Sequence, residues 1–187
     1  MPSPNDLEAP AHSAVLLIDL QTDFLDPCGR MPVERGGVDA ALDAANAILS
    51  GQALRGAMPI AIVNEFPPSA RIANFLRRNA AIAGSEGAKL DSRIARRENL
   101  AVFPKQRASA FSNGDLTAFL RMREIEKIYV LGVFAEGCVR ATALAALRLG
   151  FEVFVLEDAI ATNARWKKRL ALQSMKRAGA VIATLWG

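Results

Sequence analysis

Three residues of this sequence bring together a nucleophile, a base and a cation: Cys138, Asp19 and Lys105. Cys138 follows Gly137, just past an apolar β-branched run and at the start of a helical pattern. A helix N-terminus carries partial positive charge and free N–H groups, which favour thiolate over thiol and can stabilise an oxyanion. The same residue also suits plain packing as a small buried hydrophobe. Asp19 interrupts an otherwise apolar run, residues 14–20. A carboxylate there is costly unless paired, so it is either a proton acceptor or a strand-end cap. Lys105 follows the short run 100–103 by two residues, after Pro104. Beside the other two it steadies both anions. The helix end and Lys105 together are expected to outweigh Asp19 and hold Cys138 as thiolate, unless Asp19 and Cys138 share one proton and titrate as a unit.

Those residues need elements to carry them. Apolar runs at residues 14–20, 59–63, 100–103, 127–133, 151–156 and 180–185 alternate with helical patterns at 38–55, 72–81, 113–123, 137–149 and 165–178. Near-continuous hydrophobic strands separated by helices predict an α/β fold: a three-layer, doubly wound, mostly parallel sheet with helices on both faces. In such sheets reactive groups gather at the carboxyl ends of the strands, where Asp19, Lys105 and Cys138 all fall. The stretch 64–98 shows little regularity. Residues 1–12 hold three prolines and read as a short arm, leaving 13–187 as one domain.

Composition narrows the function. The chain has 187 residues, 51% of them hydrophobic, and a net charge of +4. Its basic pairs and triplets, Arg77-Arg78 among them, are scattered among apolar residues and read as solvated helix faces, so no nucleic-acid partner is expected. No apolar run reaches the ~18 residues of a membrane span, and no signal peptide opens the chain, so a cytoplasmic location and no membrane partner are expected. The one histidine, His12, and the two cysteines, Cys28 and Cys138, are far apart in sequence. A zinc site needs about four closely set ligands, so no metal and no cofactor are expected. Cys28, in a turn, and Gln21 and Asp23, after the first strand, read as structural.

Four stretches in order resemble the isochorismatase-like cysteine hydrolases: residues 18–24 (IDLQTDF), 103–111 (FPKQRASAF), 131–142 (LGVFAEGCVRAT) and 150–160 (GFEVFVLEDAI). The resemblance implies an Asp19–Lys105–Cys138 triad and an oxyanion hole from the backbone N–H groups of Phe134 and Cys138, with a cis peptide between Val133 and Phe134. It implies cleavage of C–N bonds in small amides, ureas or carbamoyl compounds, often by homo-oligomers (dimers or tetramers). Nicotinamidases of this superfamily carry metal-binding histidines after the second strand; this chain has none there. Phe134 and Ala135 replace the small residue and threonine common before the nucleophile, which implies a narrower or more apolar pocket. Loop position makes Phe24, Asn64, Phe66, Phe111 and Phe134 candidates for substrate contact. Two rival readings stand beside the amide hydrolase: an isochorismatase-type vinyl ether hydrolase, and a non-catalytic binding domain of the same fold.

Overall fold

The structure is a computed structural model that describes residues 11–186. Residues 1–10 of the expected arm lie outside the described residues. Six strands, β1 (Ser13–Ile18), β2 (Met58–Asn64), β3 (Ala101–Lys105), β4 (Lys127–Val133), β5 (Glu152–Ala161) and β6 (Val181–Ala183), form one sheet in the order β3-β2-β1-β4-β5-β6. Every pairing is parallel. A parallel sheet must be covered on both faces. Alternating β1 residues accordingly go to opposite sides. Val15 and Leu17 pack with Ala41, Ala45 and Ile48 of α2 (Arg35–Leu49). Leu16 and Ile18 pack with helices on the other face: Leu116 and Leu120 of α4 (Gly114–Met122), Ala143 and Ala146 of α5 (Arg140–Arg148), and Ala171 and Met175 of α6 (Arg165–Arg177). A single turn, α1 (Thr22–Leu25), and a short helix, α3 (Arg71–Leu76), complete the α-helices among the described residues. The doubly wound, three-layer fold read from the strand pattern is therefore present. Among the described residues, no helix is long and apolar enough to cross a membrane.

Three local departures from the sequence reading have physical reasons. β3 runs through Pro104 to Lys105 instead of stopping at Phe103, because it is an edge strand that needs ladder bonds on one side only. β5 extends past Leu156 because its ladder with β4 slips between Val130 and Gly132 and then resumes at Gly132–Ile160 and Val133–Ala161. The polar Asp158 inside it accepts the backbone N–H groups of Leu185 and Trp186. Cys138 lies in a π-helical turn, Ala135–Val139, with Gly137 off helical geometry at φ −99° and ψ −106°, so it does not open an ordinary α-helix. The Asn113 side chain accepts from the Asp115 N–H at the start of α4.

Candidate active site

The chain winds outward from β1 through β2 to β3, then returns to lay β4 on the other side of β1. That reversal opens a crevice at the carboxyl ends of β1 and β4. Asp19 is the first residue after β1, Asn64 ends β2, Lys105 ends β3, and Cys138 lies five residues beyond β4. Asn64 and Lys105 stand side by side in the β2–β3 register. Asp19 turns its side chain from the strand with φ +55°, while its N–H donates to the Ile62 carbonyl at 2.9 Å.

Lys105 is the hub. Its Nζ donates to Asp19 Oδ2 at 3.0 Å, Asn64 Oδ1 at 2.6 Å and Cys138 Sγ at 3.3 Å. An ammonium has three donors, and all three are used. Gln21 braces this arrangement. Its Nε2 donates to the carbonyls of Asn64 (2.8 Å) and Ala88 (2.6 Å), and its Oε1 accepts the Asn64 N–H at 2.7 Å. Asp23 has a similar duty, accepting the N–H groups of Arg30 and Ala81. Both residues are structural, as read from the sequence. Asn64 adds something loop position did not reveal: its oxygen is spent on Lys105 rather than left for a ligand.

Burial shifts both titratable groups beside the lysine. The Asp19 carboxyl is pushed above its ordinary value by burial; the Lys105 charge and hydrogen bonding with Cys138, Lys105 and Asn64 oppose this without cancelling it. Its Oδ1 is buried and makes no hydrogen bond of ordinary length and angle among the described residues. The Cys138 thiol is pushed up to about 12, first by burial and then by the Asp19 charge, with Lys105 pulling the other way. The direction runs against a Cys138 thiolate held by Lys105 and the helix end. Lys105 is closely engaged by Asp19, and an apolar wall penalises a second anion beside it. Burial thus raises both the Asp19 carboxyl and the Cys138 thiol, with the ammonium between them.

The turn carrying Cys138 is held from several sides. The Val133–Phe134 peptide is cis, as the family resemblance implies. Just before it, Gly132 adopts φ +117°, and a Cβ there would stand 2.1 Å from the Ile18 carbonyl oxygen. Only glycine lets β4 approach β1 this closely. The Phe134 carbonyl accepts the N–H groups of Gly137 (3.0 Å) and Val139 (3.2 Å). Glu136 ties the turn outward, accepting from Thr162 Oγ1 and facing Lys167 Nζ at 3.6 Å.

A cavity of about 250 Å³ opens onto Asp19 and Cys138. Phe24, Asn64, Phe66 and Phe134 line it, as loop position suggested, with Phe24 and Phe134 packed edge to face at 5.8 Å. Phe111 is a correction. It stacks on Phe151 at 5.8 Å against the α5 side of the core and does not line the cavity. Its loop leads into α4, which packs on that face. Arg77, read as a solvated helix residue, is half-buried and lines the cavity together with Met31, Gln106 and Arg107. No periodicity in residues 64–98 pointed to Arg77, since a closing turn after α3 brings it there.

An isochorismatase-domain family model matches residues 13–185. A nicotinamidase of Escherichia coli (strain K12) is 29% identical over 206 aligned residues, spanning 92% of this chain and 94% of its own. A protein of Arabidopsis thaliana named as a probable inactive nicotinamidase is 29% identical, with 93% of each chain covered. The crystal structure of a pyrazinamidase of Pyrococcus horikoshii in complex with zinc superposes with a TM-score of 0.81 at 29% identity, covering 92% of this chain and 99% of that one.

The donor set here does not fit such a zinc. Among the described residues, no three His, Cys, Asp or Glu side chains converge as a metal site. After β2 the chain offers Glu65, which is exposed, and then Phe66. His12 stands before β1, 3.9 Å from Glu124.

Proposed function

This chain is an isochorismatase-family hydrolase, and on that premise we propose that it cleaves the C–N bond of a small amide, urea or carbamoyl compound, without a metal, through a thioester on Cys138. The observation that carries this reading is the contact of one buried ammonium, Lys105 Nζ, with both the Asp19 carboxylate and the Cys138 sulfur at a cavity wall. A nucleophile beside an oriented base is the arrangement acyl transfer requires.

In the proposed reaction, Asp19 takes the thiol proton as Sγ bonds to the substrate carbonyl carbon. With the thiol at about 12, this proton leaves only as the bond forms. The backbone N–H groups of Phe134 and Cys138 stabilise the oxyanion. Asp19 then gives its proton to the leaving nitrogen, and ammonia or an amine departs. Water adds to the thioester with Asp19 as base, the C–S bond breaks, and the sulfur recovers its proton. The net change is amide plus water to carboxylic acid plus ammonia or amine. Lys105 keeps Asp19 aimed at the sulfur throughout and offsets its charge whenever the carboxylate is ionised.

The test is ammonia release from a panel of primary amides, ureas and carbamoyl compounds, with and without prior dialysis against a strong chelator. Turnover unchanged by the chelator is expected. Turnover lost to the chelator and restored by zinc or manganese contradicts the metal-free reading; turnover confined to vinyl ethers and retained by Cys138→Ala supports the rival hydrolase.

The pH profile follows from Asp19. Its base form is required, and its carboxyl lies above the ordinary 3.8. As pH falls through that raised value the base is lost. The acid limb of kcat/KM is therefore expected above pH 3.8, and a limb at or below that value would count against Asp19 as the base.

A further inference from the structure

We propose that the cavity selects substrates bearing a carboxylate, and that Arg77 is the residue that recognises it. The inference rests on the C–N hydrolase reading and names the substrate class of that site.

Three full charges line the cavity: Asp19, Arg77 and Arg107. Asp19 is already matched by Lys105. Among the described residues, neither arginine has a carboxylate within ion-pair distance. The remaining walls are largely aromatic and aliphatic, with Phe24, Phe66, Met31 and Phe134 among them. A cation facing such a cavity without a counter-charge favours an anion there.

Arg77 is also built into place. Its guanidinium lies over the Phe66 ring at 3.8 Å from the centroid. Its Nη2 donates to Asn74 Oδ1 at 3.2 Å, and buried Asn74 is itself fixed by Nδ2 donating to the Pro67 carbonyl at 2.9 Å. The chain then reverses through Arg78 and Asn79, both left-handed at φ +55° and +58°, with the Ala80 N–H returning to the Arg77 carbonyl at 3.0 Å. Ring and amide thus set the guanidinium plane before a ligand arrives. Among the described residues, one of its five donors has an acceptor, and its Nε is buried with no partner. A planar fork with unspent donors suits the two oxygens of a carboxylate. Exposed Arg107 adds positive potential at the same cavity.

The test uses shape-matched pairs: succinamate against 4-methylpentanamide, and N-carbamoylglycine against isobutylurea. Wild-type protein is expected to prefer the charged member by tenfold or more in kcat/KM. Arg77→Gln is expected to lower kcat/KM for the charged member by about 30-fold or more, chiefly through KM, and to leave the neutral member within about threefold. Arg77→Lys, which keeps the charge and loses the fork, is expected to recover part of the difference. A second readout avoids turnover: calorimetric titration of each pair into Cys138→Ala protein and into the Cys138→Ala, Arg77→Gln double variant. Charge preference in the first and its loss in the second is the expected result. Equal binding of charged and neutral members, binding of neither, or equal losses for both on Arg77→Gln overturns the inference. Ammonia from neutral amides alone overturns it while leaving the hydrolase reading intact. Charge-selective binding without turnover of any pair leaves Arg77 recognition standing and counts against the hydrolase reading.

Discussion

Cys138→Ala is expected to lower kcat by about 10⁴-fold or more, the order of loss seen when the nucleophile of an acyl-transfer site is removed. In the proposed reaction Sγ forms the thioester, and neither Asp19 nor Lys105 can replace it. Cys138→Ser should fall nearly as far, because a hydroxyl gives up its proton less readily than a thiol and Asp19 is only a moderate base. The fold should survive both changes. Cys138 is partly buried and its loss removes one hydrogen-bond acceptor from Lys105, which keeps Asp19 and Asn64. Stability within about 1 kcal/mol of wild type is expected. Quenched-flow mass measurement of wild-type protein should find an acyl group on the Cys138 peptide. Turnover retained by Cys138→Ala would remove the cysteine route altogether.

Lys105→Met is expected to lose both activity and stability. The side chain is 0% exposed, and its Asp19 partner is 1% exposed. Removing one member of such a pair leaves a buried charge without compensation, which costs about 3–5 kcal/mol. The sign with pH follows from Asp19. Burial already raises its folded value, and without Lys105 that value rises further. The folded variant then holds a proton that the unfolded chain releases above ~3.9. Stability contributed by that proton is full below the unfolded value and is lost as pH rises through the folded one. Denaturant titrations should therefore show a deficit that is smaller near pH 5 than near pH 8. A deficit that does not change with pH, or none at all, would mean Asp19 is not held ionised by Lys105. Loss of activity should accompany it at every pH, since the base loses its orientation even where the fold persists.

The parallel sheet was legible because strands covered on both faces must be apolar throughout. Runs such as residues 14–18 and 127–133 show this directly. Asp19, Lys105 and Cys138 were legible for a related reason: each is a polar or reactive residue at the end of such a run, and strand ends converge in this topology. Asn64 and Phe66 follow from the same placement. Phe111 did not, because a loop position does not say which face of the sheet the next helix will cover; α4 carries it to the core side. Arg77 was out of reach for a stronger reason. Its place depends on a left-handed reversal at Arg78 and Asn79, on the Phe66 ring and on Asn74, none of which leaves a period in the sequence.

The sequence by itself determined the order of strands and helices, the family, and the chemical types at the strand ends, because periodicity and residue type are local properties of the chain. Tertiary structure alone decided which way burial moves the Asp19 and Cys138 titrations, and the shape of the cavity. Whether Cys138 rests as thiol or thiolate depends on how far water is excluded and on which of Asp19 and Lys105 stands closer, and both are set by parts of the chain far apart in sequence. The cation at Arg77 faces the cavity for the same reason: a side chain's solvation is fixed by what folds over it.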